Sequence, residues 1–294
     1  MTQDEYPALY QSADSSSADA QWTYLLLLRL QYGLLFLAAF ISLWFGGTPD
    51  IYIFYVFVVG TSTALLIYTS VQKPEKDWYA CRALAESIKT STWRYMMRAE
   101  PFEDSPKIST VKSKFSRFLK EILDANSHVR DPISKKPSTG DQITKAMNAT
   151  RALSLEDRIN RYRTERIEEQ RRWYVSKVKT NRRHFRGWVI FCVIVQGAAI
   201  GLAMLRIRYD QQWSLWPTEP LLVLASAVVG WIQIKKFNEL ASAYSLTAHE
   251  IGILLTRIDH VKTEEDFSLF VNDAERAFSR EHTQWVARQT EENL

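Results

Sequence analysis

Four long apolar runs, separated by densely charged stretches, dominate the pattern of the chain. The first, "YLLLLRLQYGLLFLAAFISLWF" (24–45), carries one charge, Arg29, near its start. A helix needs about 20 such residues to cross about 30 Å of hydrocarbon, and the long stem of Arg29 lets its charge reach the interface. After "GGTPD", "IYIFYVFVVGTSTALLIYTSV" (51–71) forms a second span, and the loop is too short to do more than reverse the chain. Later "WVIFCVIVQGAAIGLAML" (188–205) and "LLVLASAVVGWIQI" (221–234) form a second pair, the last extended by "WSLWPTEP" to about 217–235. The expected fold class is an all-α integral membrane protein with two transmembrane helical hairpins, each continued by long cytoplasmic helices.

The polar stretches read as helices too. From 75 to 100 one face carries Glu86, Thr90, Trp93 and Met97, and Pro101 places the helix end near Glu100. "STVKSKFSRFLKEILDAN" (109–126) is amphipathic, with Phe115, Phe118, Leu119 and Ile122 on its apolar side and Lys112, Lys114, Arg117 and Lys120 elsewhere. Packing of that apolar side is favoured over its lying on anionic headgroups. "DPISKKPSTGDQ" (131–142) has the proline, glycine and serine punctuation of a linker. Beyond it the charges alternate without proline to residue 187. That fits a solvated helix over 152–187 feeding the third span, its apolar positions (Ile159, Tyr162, Ile167, Tyr174, Val178) too sparse for a coiled coil. The last helix sets Phe267, Phe270, Val271, Ala274 and Phe278 on one side.

The expected organisation is a polar N-terminal tail (1–21), a first hairpin unit (22–130, with cytoplasmic helices over 75–126), a linker (131–150) and a second hairpin unit (151–294). Each half follows one plan, which suggests duplication: "ALAESIKTSTWRYM" and "SLTAHEIGILLTRI" occupy matching places.

Composition and charge refine this picture. The net charge of +4 over 294 residues argues against a general polyanion binder, and no sequence-specific nucleic-acid binding is expected. The acidic stretch before the first run, with Asp4, Glu5, Asp14 and Asp19, is unlike the positive start of a signal peptide. Lys73, Lys76 and Arg82 follow the second span, Arg182, Arg183 and Arg186 precede the third, and Lys235 and Lys236 follow the fourth. This bias puts both termini in the cytoplasm of a multi-pass protein, with Arg206 and Arg208 counting the other way. Residues 107–186 are basic on balance. The end of the chain is acidic, with Glu264, Glu265, Asp266, Asp273, Glu275, Glu291 and Glu292, so the two can meet within or between subunits.

Candidate chemistry is sparse. "HEIGI" lacks the second histidine of a zincin, "STGDQITK" lacks the spacing of a phosphate loop, and the five histidines are scattered. No catalytic residue, metal site, cofactor or disulfide is expected; Cys81 and Cys192 read as packing residues. Within the spans, Gly60, Gly197 and Gly201 are candidates for close helix packing. Thr61, Ser62, Thr63, Thr69, Ser70, Gln196, Ser226 and Gln233 are candidates to line a pore, against the plainer alternative of packing inside the bundle. Four helices in one copy enclose little water, so a pore implies homo-oligomerisation.

Three stretches carry a resemblance: "ALAESIKTSTWRYMMRAEPF", "YRTERIEEQRRWYVSKVKTNRRHFRGW" and "AERAFSREHTQWVARQ". The chain from about Trp22 to Arg288 resembles the tandem form of the SLATT family, two-transmembrane effector domains found beside nucleotide-second-messenger synthases and sensors in prokaryotic conflict systems. By position, the signature residues are Glu86, Lys89, Trp93, Arg94, Arg98, Pro101, Trp173, Tyr174, Asn181, Trp188, Glu281, His282 and Trp285. The resemblance implies an effector of the bacterial inner membrane and no enzymatic role. Such an effector forms a pore or perturbs the bilayer when triggered by a nucleotide second messenger or a cytoplasmic sensor protein. The alternatives are a membrane scaffold recruiting cytoplasmic partners and a constitutive channel or transporter subunit.

Overall fold

Helix-forming sequence broken by few prolines and glycines gives a chain without strands among the described residues. The computed structural model describes residues 1–44, 48–126, 130–134 and 137–291, and side chains outside 130–131 and 279–291. The expected end of the first span at Phe45 and part of the expected linker lie outside these. The helices are α1 (Ala8–Ile41), α2 (Pro49–Gln72), α3 (Pro74–Met96), α4 (Ile108–Ala125), α5 (Arg130–Ser134), α6 (Lys145–Arg151) and α7 (Leu155–Tyr162). A π-helical turn (Arg163–Glu168) joins α7 to α8 (Glu169–Tyr209), followed by α9 (Thr218–Lys235), α10 (Phe237–Ile258) and α11 (Glu264–Glu291).

The chain divides into two units. Unit 1 comprises Met1–Trp22, Pro74–Tyr174 and the chain from Thr247 onward; unit 2 comprises Thr23–Lys73 and Val175–Leu246. In unit 1, α3 is the central helix, burying Cys81, Leu84, Ile88, Trp93, Tyr95 and Met96. The expected apolar side of α11 lies in this core, with Phe267, Phe270, Val271, Ala274 and Phe278 all at most 5% exposed, and α11 packs along α3. Helix α4 inserts Val111, Phe115 and Leu119, and rings of Tyr95 and Phe102 meet Phe115 at 4.8 and 5.3 Å. Packing therefore takes the apolar side of α4, leaving Lys114, Arg117 and Lys120 exposed.

Three expectations change here. The N-terminal tail is structured: α1 starts at Ala8, and Tyr6, Ala8, Tyr10 and Ala13 are buried. Small residues let this polar-looking segment pack closely, and its buried hydroxyls are bonded, Ser16 Oγ to Pro132 O at 3.0 Å and Ser17 Oγ to Trp78 O at 3.4 Å. The linker stretch lies against the same segment. Asp141 O accepts from Ala8 N (3.1 Å) and Gln142 Oε1 from Leu9 N (3.1 Å), satisfying amides that a helix start leaves open.

Helix α3 ends at Met96, four residues before the expected Glu100. Arg98 takes a left-handed φ of 58°, Ala99 N donates to Arg94 O (2.9 Å) and Arg98 N to Tyr95 O (3.4 Å), a Schellman end with arginine at the position glycine usually fills. The expected helix 152–187 starts at Leu155 instead, where Ser154 Oγ accepts from Asp157 N (3.2 Å) as an N-cap. Its first half is not solvated, since Arg158, Tyr162 and Ile167 are fully buried.

In unit 2 the four apolar helices are long and apolar enough to cross a membrane, and only 11–22% of their most apolar windows is buried. Ala38 and Ile41 of α1 pack with Val58 of α2, and Cys192 and Val195 of α8 with Ala225 and Val228 of α9. Arg29 does not stand alone but lies 5.3 Å over the Trp231 ring. Both apolar helices preceding a polar one end in a lysine of left-handed φ: Lys73 (47°) between α2 and α3, and Lys236 (46°) between α9 and α10. The fourth span thus breaks at Lys236 rather than running on, and the two breaks precede the paired stretches at 83 and 245 by nearly the same number of residues.

Candidate functional site

The most constrained part of unit 1 is a buried ionic centre built by α3, the π-helical turn and α11. Arg158, Tyr162 and Arg166 recur every fourth residue and are 0%, 0% and 2% exposed. In a plain α-helix such a row drifts around the axis; the wider π turn at 163–168 lies in the row, and such turns are rare and concentrated at functional positions. Opposite stands Glu275, 0% exposed, in the apolar row of α11.

Arg166 grips Glu275 with two parallel bonds, Nε to Oε1 at 2.8 Å and Nη2 to Oε2 at 2.6 Å, the fork geometry that makes arginine–carboxylate pairs strong. Tyr162 Oη donates to Oε1 of the same carboxylate at 3.0 Å. The Arg166 guanidinium lies 4.9 Å over the Phe278 ring. Trp93 of α3 closes the assembly, its ring edge-on to Tyr162 at 5.7 Å and its Nε1 donating to Tyr6 Oη at 3.1 Å. Burial opposes the charge of Arg166, but Glu275 beside it holds the guanidinium above its ordinary pKa. Burial, with Glu275, pushes Tyr162 well up, and burial alone does most of the same for Tyr6 and Tyr10. These phenols are neutral donors at physiological pH.

A second tier fastens the exit of α3. Arg158 Nη1 donates to Met97 O at 2.8 Å and its Nη2 pairs with Glu264. Arg98 donates to Arg151 O (2.9 Å) and Asp104 (2.8 Å), and Arg151 to Asp104 (2.8 Å). Asn272 of α11 reaches Glu100 at 3.1 Å. Arg163 also pairs with Asp259. The basic middle and the acidic end of the chain thus do meet, within one subunit.

Of the signature residues, Glu86, Lys89, Trp93 and Arg94 gather along α3 around this centre. Glu86 pairs with Arg82 (2.5 Å), and burial lowers the pKa of Lys89 and Arg94. Arg98 forms the left-handed exit just described, and Pro101 follows it. Tyr174 is buried beside the more exposed Trp173, its ring 5.0 Å away. Asn181 Nδ2 donates to Lys177 O (2.9 Å), and Trp188 packs on the α8–α9 cluster. The side chains of Glu281, His282 and Trp285 lie outside those described.

The arginine row and Glu275 were missed by reading their helices as a solvated arm and an acidic tail. The available signal was Glu275 itself, one turn after Val271 and beside Ala274, an ionised group inside an apolar stripe that must find a partner.

The glycine candidates fare differently. A Cβ at Gly60, Gly197 or Gly201 meets nothing within 4 Å, so none is a close-approach position within the chain. That role falls to Gly230, where a Cβ would come 3.1 Å from Tyr32 Cζ. Among the pore-lining candidates, Ser62 is buried and accepts from Gln31 Nε2 (2.9 Å). Thr61, Thr63 and Thr69 donate back to Phe57, Val59 and Leu65 carbonyls of their own helix at 2.8–3.0 Å. Ser70, Gln196, Ser226 and Gln233 are exposed. Among the described residues no cluster of three or more His, Cys, Asp or Glu is placed to hold a metal.

Four apolar helices with most of their surface uncovered, in a chain whose other unit is organised around a buried arginine–carboxylate pair, define an all-helical membrane protein. The chain belongs to the SLATT family: residues 7–159 match the SMODS and SLOG-associating 2TM effector domain 3, and residues 162–285 match the SMODS and SLOG-associating 2TM effector domain 1. This membership points to a membrane effector of conflict systems. No curated protein and no solved structure matches the chain. The boundary between the two matches falls inside α7, so the ionic centre draws Lys89, Trp93 and Arg158 from the first and Tyr162, Arg166 and Glu275 from the second.

Proposed function

We propose that this protein is a non-enzymatic effector of the bacterial inner membrane which, in several copies, forms a pore or perturbs the bilayer when triggered. The four apolar helices form two hairpins with both termini cytoplasmic, as the flanking lysines and arginines favour. Gly60, Gly197 and Gly201, unused within the chain, serve contacts between copies. Thr61, Thr63, Thr69, Ser70, Gln196, Ser226 and Gln233 face the path formed on assembly. A nucleotide second messenger or sensor protein supplies the trigger.

The observation that carries this reading is the clamp of α11 onto α3 and the π turn through Arg166 and Glu275. Helix α3 follows the second apolar helix after a single residue, so a latch on α3 acts directly on the chain entering the membrane. A trigger that prefers the unlatched state shifts the population by its differential affinity for the two states. The test is single-cell membrane potential, read with a voltage-sensitive dye after induced expression at matched membrane abundance. Glu275→Gln should depolarise cells earlier than the wild type, and Gly197→Leu should suppress depolarisation. Indistinguishable traces for wild type, Glu275→Gln and an empty vector would defeat the proposal.

A further inference from the structure

Beside the ionic centre, unit 1 contains a polar cavity of about 230 Å³. Its wall is formed by Tyr6, Tyr10, Lys89, Trp93 and Arg166 on the donor side and by the carboxylates Asp14, Glu165 and Glu169. The hydrogen-bonding capacity of these groups is unevenly spent. Arg166 commits Nε and Nη2 to Glu275, while its Nη1 is buried with no partner among the described residues. Lys89 makes no hydrogen bond or ion pair among them, although burial disfavours its charge there. Tyr6 Oη accepts from Trp93 and donates to no described residue; the Tyr10 hydroxyl has no described partner at all.

The acceptors are in the opposite state. Asp14 takes bonds from Gln3 (3.1 Å) and Arg82 (3.3 Å), Glu165 takes both the Met1 ammonium and the Arg161 guanidinium (3.2 Å each), and Glu169, which supports the charge of Lys89, is exposed, where water and salt screen it. What remains open is a set of donors: an ammonium, a guanidinium N–H pair and two neutral phenols. Buried donors left unmade are expensive, so a site with this inventory is completed by a group that only accepts.

We infer that this cavity is a binding site for a tetrahedral oxyanion, a phosphoryl group held by Lys89, Arg166 Nη1 and the hydroxyls of Tyr6 and Tyr10. The donors reach the cavity from the N-terminal segment, α3 and the π turn, and a tetrahedral anion accepts on all sides, whereas the lone pairs of a carboxylate lie in one plane. The volume corresponds to about eight waters at about 30 Å³ each. It admits a free phosphate with its waters or a phosphoryl group carried on a small body against the Tyr6, Tyr10 and Trp93 rings. The inference is independent of the pore reading, because binding is measured without any leak.

The experiment is isothermal titration of the full chain in maltoside micelles with inorganic phosphate, acetate and phenyl phosphate at fixed ionic strength. Phosphate should bind at least about tenfold more tightly than acetate. Lys89→Gln should weaken phosphate about tenfold and Tyr10→Phe about threefold, the scale of losing a charged and a neutral hydrogen bond. Lys89→Arg should restore most of the affinity. Unchanged thermal unfolding of Lys89→Gln would show that the variant is folded. Tighter phenyl phosphate would support a carried phosphoryl group, and equal affinity a free ion; both support the site. Acetate binding as well as phosphate, or a folded Lys89→Gln binding like the wild type, would overturn it.

Discussion

Replacing Glu275 by glutamine keeps the side chain's shape and removes its charge. Arg166, 2% exposed, would then be a guanidinium buried without a counter-ion, and Tyr162 would donate to a weaker acceptor. Breaking a buried ion pair on one side costs about 3–5 kcal/mol. A unit of this size loses roughly 2–4 °C of melting temperature per kcal/mol, so the expected fall is about 10 °C. Arg166→Met with Glu275→Leu removes both charges and leaves apolar groups against Phe278, and such replacements are typically neutral or stabilising by about 1–4 kcal/mol. The double variant should therefore melt well above Glu275→Gln and near the wild type. Thermal unfolding of purified protein by tryptophan fluorescence measures this, and hydrogen exchange on α11 localises it, with early opening of residues 264–278 in the single variant alone. A double variant as unstable as the sum of the single changes would refute the claim that the two charges hold each other in place.

Other consequences are open to measurement. Lys73→Gly and Lys236→Gly each relieve a side chain held at a φ of 46–47° and should stabilise the protein by about 1 kcal/mol, seen as a higher melting temperature; a decrease would mean the lysine side chains hold those corners. Gly197→Leu should change the stability of the monomer by no more than about 0.5 kcal/mol, as an exposed surface change does, because nothing lies within 4 Å of a Cβ placed there. A fall of several degrees would place Gly197 in an intrachain contact after all. Burial, helped by Asp77, pushes the Cys81 thiol from its ordinary 9 to about 11. The unfolded chain releases this proton first, so stability present below pH 9 is lost as pH rises from 9 to 11. Melting curves across that range should show the gap between wild type and Cys81→Ala narrowing, since the tyrosines contribute equally to both; a constant gap would contradict the assignment.

The elements that sequence alone exposes are those with a strong period. The apolar runs and the stripe Phe267, Phe270, Val271, Ala274, Phe278 follow helical spacing, and the structure buries the stripe as a face. The N-terminal helix was hidden because serine and alanine pack by being small, and small residues carry no hydropathy signal. The left-handed corners were hidden because lysine is not a residue that ends helices by its own preference. Gly197 and Gly201 have the spacing of a packing motif, yet only the fold shows that Gly230 is the glycine approached, by Tyr32. The site suffered most, since its members lie far apart in the chain and each arginine resembles its solvated neighbours until Glu275 is set opposite.

The distance along the chain between Arg166 and Glu275 also has a meaning in time. The two are separated by 109 positions, and ribosomes add roughly 5–20 residues per second. For about 5–20 s after Arg166 is made, its partner does not exist, and Trp93 has waited longer still. The first tandem half and all four apolar helices are synthesised before the carboxylate arrives. A nascent chain therefore has its clasp incomplete while its apolar helices are already made, and a ribosome that stalls before α11 leaves behind a protein with all four of them and no carboxylate opposite Arg166. The clasp is thus closed only in a chain translated as far as α11.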